Sequence, residues 1–386
     1  MKRILLTIIC ILTAATCMTA SAQGINFVEG KTFAEVLAMA KEQGRLVFMD
    51  CYTEWCGPCK RMAREEFTKQ EAGDYFNAKF VNLKMDMEKG EGPEVAKKYD
   101  VGAYPTFLIL QADGTLQGRC VGSADIGQFI KKIEDILAEE KGLAWYQQRF
   151  NEGERDAKFL DEYAKLLKQN YMRGELKRVV ETVLDGKTGA EVAADSTLFK
   201  TFLTGGFTPD DPLFLAVYRE RATVIDKQGI QAAQTLELSW YQQAMYSIKF
   251  DGKTYQGFDR EKFDAYKQKM TEYGVTDADR IVDHTLLTNA TYANDYPAIC
   301  QFMEKDISQG GTLFEDFESI RLAEDMAEEC KNDKKTMKTL KRFITHRIGV
   351  LQKKAPDDKQ FVTDRDGTRY TRSEYQIKQY REILSR

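Results

Sequence analysis

Two textures of hydrophobic spacing divide the chain at about Gly142. Before it, short apolar runs alternate with single helical faces; after it, apolar residues recur every three or four positions. Thr32-Phe33-Ala34-Glu35 has capping-box spacing, and Phe33, Val36, Leu37 and Ala40 give one apolar helical face that ends at Gly44. Leu46-Val47-Phe48-Met49 opens a buried strand predicted over 46–52, and 80–86 reads as another. A short helix is expected from Pro93 to Tyr99. Thr106 to Leu110 is a third apolar run, preceded by Tyr104-Pro105. Asp113-Gly114 signals a hairpin turn into a strand over 116–121. Ile126, Phe129, Ile130, Ile133 and Leu137 mark a final helix, with Gly142 expected as its cap.

From 143 to 386 the pattern predicts an all-α region. Phe159, Leu160, Tyr163, Leu166 and Leu167 start it, followed by Leu176, Val179, Val180, Val183 and Leu184. Further helical runs cover 213–226, 229–247, 259–273, 278–292, 295–306, 312–330 and 334–353. Breaks fall at Gly186, Gly205-Gly206, Pro209 with Pro212, and Gly310-Gly311. The texture is similar to tetratricopeptide-type helical repeats, but no clean period of about 34 residues is present. Asp251-Gly252 and Asp366-Gly367 suggest small turns. His284 and His346 have no Cys or acidic partner at ligand spacing, and Trp240, Tyr241 and Tyr246 read as core aromatics.

The first 22 residues stand apart from both regions. Lys2-Arg3, an apolar stretch from Ile4 to Ala15, and Ala20-Ser21-Ala22 before Gln23 have the form of a cleaved secretory signal. An alternative would lipidate Cys17, though neither Thr16 nor the residue three before it suits that motif. Removal of the segment takes Lys2 and Arg3 and no acid, moving the net charge from −4 to −6. That balance argues against a nucleic-acid partner. No later stretch approaches the ~20 apolar residues of a membrane span. Of eight cysteines, Cys51, Cys56, Cys59, Cys120, Cys300 and Cys330 would remain, in a compartment where disulfides persist.

Candidate chemistry concentrates in Trp55-Cys56-Gly57-Pro58-Cys59-Lys60. Two cysteines three apart can close a disulfide. Strand 46–52 leads in, and helical spacing from Pro58 through Met62, Ala63 and Phe67 leads out. Pro58 suits a first helical turn, where a missing N–H costs nothing. Cys56 then lies at a helix N-terminus, where a thiol pKa drops from about 8.5 into the range ~3.5–7.5. Half of a zinc site and a purely structural disulfide are the duller alternatives. Zinc wants four ligands, and no second pair follows.

Asp50-Cys51-Tyr52-Thr53-Glu54-Trp55-Cys56-Gly57-Pro58-Cys59-Lys60 resembles the active-site stretch of the thioredoxin family, with Tyr104-Pro105-Thr106 and Gly122 at matching places. The likeness spans roughly residues 27–140 and implies an α/β thioredoxin fold with a central mixed sheet flanked by helices. It assigns Cys56 as the surface-exposed nucleophile, Cys59 as the resolving thiol and Asp50 as the proton acceptor. Pro105 is implied to be a cis-proline whose backbone pairs with substrate. Trp55, Gly57, Pro58 and Tyr104 would contact that substrate. The duller readings are that Asp50 ends its strand in solvent and that Trp55 is core packing. Three departures from the family stand out. Tyr104 is bulkier than the usual residue, Asn82 falls where a buried lysine is expected, and Cys51 replaces an aromatic. Cys51 and Cys120 read as buried small hydrophobes, and a Cys300–Cys330 disulfide stays open.

The expected domains are therefore a signal peptide (1–22), a thioredoxin-like domain (23–142) and a helical region (143–386). The expected activity is exchange with disulfides of protein substrates, without cofactor or metal, in the reducing direction. The location is periplasmic or otherwise exported, and an envelope electron donor is implied. The rivals are a disulfide oxidase or isomerase, and a partner-binding protein whose helical region does the work.

Overall fold

The computed structural model describes residues 24–251, 254–314 and 318–385; the expected signal segment lies outside them. Five strands form one sheet in the order β1-β3-β2-β4-β5: β1 (Phe27–Val28), β2 (Leu46–Tyr52), β3 (Phe80–Asp86), β4 (Thr106–Leu110) and β5 (Leu116–Val121). β1, β3 and β2 run parallel, β4 runs antiparallel to β2, and β5 runs antiparallel to β4. This is the mixed sheet that the resemblance implies. The bounds of β2 to β5 match the apolar runs because each is a buried strand between turn-forming residues.

Helix α1 (Phe33–Gln43) carries the expected capping box, and Gly44 closes it with φ +61°, a left-handed conformation open to glycine. The redox motif starts α2 (Gly57–Arg61), which continues as a π-helical turn over Met62–Glu66. Two further helices follow. α3 (Gln70–Lys79) is absent from the sequence reading, and α4 (Gly92–Lys98) agrees with it. α5 (Ile126–Ala138) is capped at its start by Asp125 and ends at Glu139, so Gly142 is not its cap. Gly142 instead precedes α6 (Leu143–Asn151) as its N-cap. α5 lies close on β5 at Gly118, where a Cβ would stand 2.3 Å from Ile136 Cγ2.

Phe48, at the middle of β2, anchors the core on one sheet face. Its ring lies 4.5 Å from that of Phe76, 5.8 Å from Phe107 and 6.1 Å from Phe129. Aromatic pairs at such spacings add about 0.5–1.5 kcal/mol each beyond their buried area. These rings share one core with Met62 and Phe67, the residues that follow the redox turn.

By internal packing, the described residues separate into two units. One runs to Lys187 and takes in Thr197–Phe207; the other holds Thr188–Ser196 and the described residues from Thr208 on. Within the first, α6 packs against β5 and is followed by α7 (Ala157–Gln169) and α8 (Arg173–Val183). α8 has no side-chain cap of its own; the Glu175 N–H is met by Asp100 Oδ2 at 3.1 Å. The step at 142 is thus a change of texture, while packing extends the first unit further.

The second unit is mostly helical and also holds two short antiparallel hairpins, Ile248–Asp251 with Thr254–Phe258 and Phe361–Thr363 with Arg369–Thr371. The run expected over 213–226 is two helices parted at Glu220. Trp240 is buried against Phe214 and Tyr218 as a core residue should be. Tyr246 is 65% exposed instead, because the helix carrying it ends at Met245. His284 accepts or shares a proton with the Tyr241 hydroxyl at 3.1 Å. Among the described residues, no helix is long and apolar enough to cross a membrane, and no group of three or more His, Cys, Asp or Glu could hold a metal ion.

Candidate active site

β2 ends at Tyr52, and the chain turns through Thr53–Trp55 to deliver Cys56 as the N-cap of α2. The turn is closed by the Cys56 N–H donating to Thr53 O at 3.2 Å. Cys56 and Cys59 are joined in a disulfide, with Cα atoms 5.3 Å apart. The Cys59 backbone N–H donates to Cys56 Sγ at 3.1 Å. That bond places a helix-end donor on the sulfur, as the N-terminal position predicts. Pro58, in the first turn of α2, removes a donor where none is needed.

One expectation fails here: Cys56 is 3% exposed, hardly more open than Cys59 at 4%. The disulfide and the Cys59 N–H turn its sulfur inward against the helix end. The exposed part of the site is formed by its neighbours Trp55, Gly57, Pro58 and Lys60.

Asp50 is buried on β2, not a strand end in solvent. Burial pushes its carboxyl up to about 7, and the Lys84 charge pulls the other way. Its Oδ1 is buried with no hydrogen-bond partner among the described residues, and so is the Thr53 hydroxyl. An unpartnered carboxylate in such a place is costly, and it favours taking up a proton near neutral pH.

Lys84, and not Asn82, is the Cα partner of Asp50 on β3. Asn82 sits across from Phe48 and Phe27, two residues nearer the start of the strand, and its Nδ2 donates to Asn77 Oδ1 at 3.1 Å. Both residues occupy the same sheet face, so strand alternation alone does not separate them. A lysine therefore does stand opposite Asp50, two positions on, but it is exposed and not buried.

Trp55 is 46% exposed rather than core. Its Nε1 donates to Glu88 Oε1 at 2.9 Å, and its ring meets Tyr104 edge-on at 5.9 Å. Glu88 was not picked out from the sequence. The signal lies in topology: β2 and β3 are parallel, so the segments after both leave at the same edge. Lys89 uses the same geometry to reach Glu54 at 2.5 Å.

The Tyr104–Pro105 peptide bond is cis, as the resemblance implies. The Pro105 carbonyl accepts from Gly122 N–H at 2.9 Å, and proline has no N–H. No backbone hydrogen bond of Tyr104 occurs among the described residues, so that residue holds the open N–H and C=O beside the site. Cys51 is wholly buried, and burial plus the neighbouring Asp50 push its thiol far above the usual range. Burial also raises Cys120. Both behave as small hydrophobes, in line with the sequence reading. Cys300 and Cys330 are free thiols, each raised by burial.

Comparison with known proteins points the same way as this geometry. The family model described as Thioredoxin matches residues 25–135. Thioredoxin AMT13 of Alternaria alternata is 34% identical over 112 residues, which cover 29% of this chain and 82% of that protein. An H-type thioredoxin of Oryza sativa subsp. indica is 39% identical over 93 residues, 24% of this chain and 69% of the other. A solution structure of a candidate disulphide-isomerase from Bacteroides thetaiotaomicron shares 48% identity over 31% of this chain and 98% of that one. The TM-score is 0.29.

Proposed function

On the premise that this chain belongs to the thioredoxin family, we propose that it is exported and reduces disulfides of other proteins, with the helical region choosing the partners. A thioredoxin-type protein-disulfide oxidoreductase is its enzyme class; export, direction and partner choice are the proposal.

In the reduced enzyme, the Cys56 thiolate attacks one sulfur of a substrate cystine. The substrate S–S bond breaks, a mixed disulfide forms, and the released thiolate takes a proton. Cys59 then gives up its proton and attacks Cys56 Sγ, freeing the second substrate thiol. The enzyme pair is oxidised by two electrons and the substrate is reduced by two. A two-electron donor in the cell envelope must restore the dithiol. The observation that carries this reading is Asp50, a buried carboxyl on the strand that leads into the redox turn. With its pKa raised to about 7, it suits the role of base for Cys59 near neutrality. Tyr104, with its backbone groups open, supplies the strand edge for the substrate; Pro105 holds it there, and Trp55 with Tyr104 forms the contact surface.

Reduction is favoured over oxidation because Gly57-Pro58 between the cysteines resembles the reducing members of the family. Export rests on Lys2-Arg3, the apolar stretch after them and Ala20-Ser21-Ala22. The test is turnover in two assays. Insulin reduction driven by dithiothreitol should be fast and refolding of scrambled ribonuclease slow. The Cys56–Cys59 potential against glutathione should fall nearer about −270 mV than about −120 mV. The opposite ranking, with an oxidising potential, would make the protein an oxidase or isomerase.

A further inference from the structure

Beside the disulfide, on the Cys59 flank, a cleft opens between the end of β2, α2 and β3. Cys59 and Thr53 form part of its lining, with Lys60, Arg64, Lys84 and Glu54 around them. All four charged side chains are exposed. Glu54 is the only carboxylate among the described residues lining the cleft, and Lys89 already meets it at 2.5 Å from outside. The same contact holds the Glu54 carboxyl below its ordinary range.

The three cations have no comparable partners. The Lys60 side chain makes no hydrogen bond or ion pair among the described residues, and its charge adds to the lowering of the Glu54 carboxyl. Arg64 reaches only Glu65, at 3.9 Å with both side chains well exposed, a pairing of little worth in water. Lys84 rests its Nζ over the Tyr52 ring at 4.6 Å. The chain as a whole carries −4. Positive charge beside the reactive sulfurs therefore runs against the global sign. A concave site of one sign focuses the field on approaching charge and raises encounter rates by roughly 10- to 1000-fold. The other flank has a different character: Trp55 and Tyr104 present rings, and Glu88 is bound to the Trp55 indole.

The geometry points to a preference for cystines that lie next to acidic residues: the cleft formed by Lys60, Arg64 and Lys84 receives carboxylates of a substrate polypeptide while its disulfide meets Cys56. Apolar substrate residues fall on the Trp55–Tyr104 flank, so one substrate orientation is favoured. This deepens the proposed activity and rests on it.

The test uses the full chain and two model peptide disulfides, identical except that Asp or Lys flanks the cysteines. At about 0.01 M salt, where the screening length is about 30 Å, kcat/KM for the Asp peptide should exceed that for the Lys peptide roughly 10-fold. At about 1 M salt, with screening within about 3 Å, the ratio should fall below about 2. The K60E/R64E double variant should reverse the low-salt preference, and at about 1 M salt its kcat/KM values for the two peptides should differ by less than about 2-fold. Equal kcat/KM for the two peptides in dilute buffer would overturn the inference, as would a preference that survives either salt or the double variant. If the wild type reduces neither peptide nor insulin, the redox reading itself falls, and the cleft preference with it.

Discussion

Lys84 faces Asp50 across the parallel β2–β3 pair, and its charge works against the burial that raises the Asp50 carboxyl. The raised value has a consequence for stability. The unfolded carboxyl titrates near 3.8 and the folded one near 7, so between those values the folded state holds the extra proton. The contribution of Asp50 to stability is then greatest below about pH 4, falls as pH rises toward 7, and is level above it. The whole loss is about 4 kcal/mol by linkage. Urea unfolding across this window should show that slope in the difference between the wild type and Asp50→Asn. A variant with the same slope would show that Asp50 is not the titrating group.

The same pair should govern the resolving step. Asp50→Asn should slow the attack of Cys59 on the mixed disulfide by roughly 100-fold near neutral pH, with the first attack by Cys56 little changed. Lys84→Gln removes the one charge that lowers the Asp50 carboxyl. The pH midpoint of the resolving step should move upward. Single-turnover kinetics across pH read both effects.

Asp100 supplies a cap that α8 lacks, through its bond to Glu175 N–H. Asp100→Ala should lower the stability of the first unit by about 1 kcal/mol, as loss of a helix cap does elsewhere. Amide exchange of the full chain would place the loss in α8, with faster exchange at Glu175 and Leu176. Unchanged protection there would show that the contact contributes nothing.

Cys51 lies next to Asp50 in sequence, yet it is wholly buried with a thiol that resists ionisation. Cys51→Ala should keep turnover within about 2-fold, and native Cys51 should resist alkylation until the protein unfolds. A large drop in activity would give this thiol a chemical role.

Strands β2 to β5 were legible because each is a run of apolar residues between turn formers. The redox turn was legible because two cysteines, Gly and Pro have few other uses at that spacing. Other features carried weaker signals. α3 has Phe76 as its one wholly buried large side chain, so its periodicity is faint, and β1 is two residues long. Lys84 was misplaced by two positions because Asn82 shares its face, and only the β2–β3 register tells them apart. Glu88 and the burial of Cys56 depend on which loops meet at the sheet edge, which a linear pattern does not contain. Asp251-Gly252 and Asp366-Gly367 did mark the two hairpins of the second unit, but the helical spacing around them hid the strands.

The account turns on bond exchange at Cys56, and trapping measures it most directly. With Cys59→Ser, the second step is blocked, so incubation with a cystine-bearing protein should leave a covalent adduct that dithiothreitol releases. Peptide mapping should place the adduct on Cys56, and adding Cys56→Ser should abolish it. Absence of any adduct, or its appearance on Cys51, Cys120, Cys300 or Cys330 instead, would contradict the account.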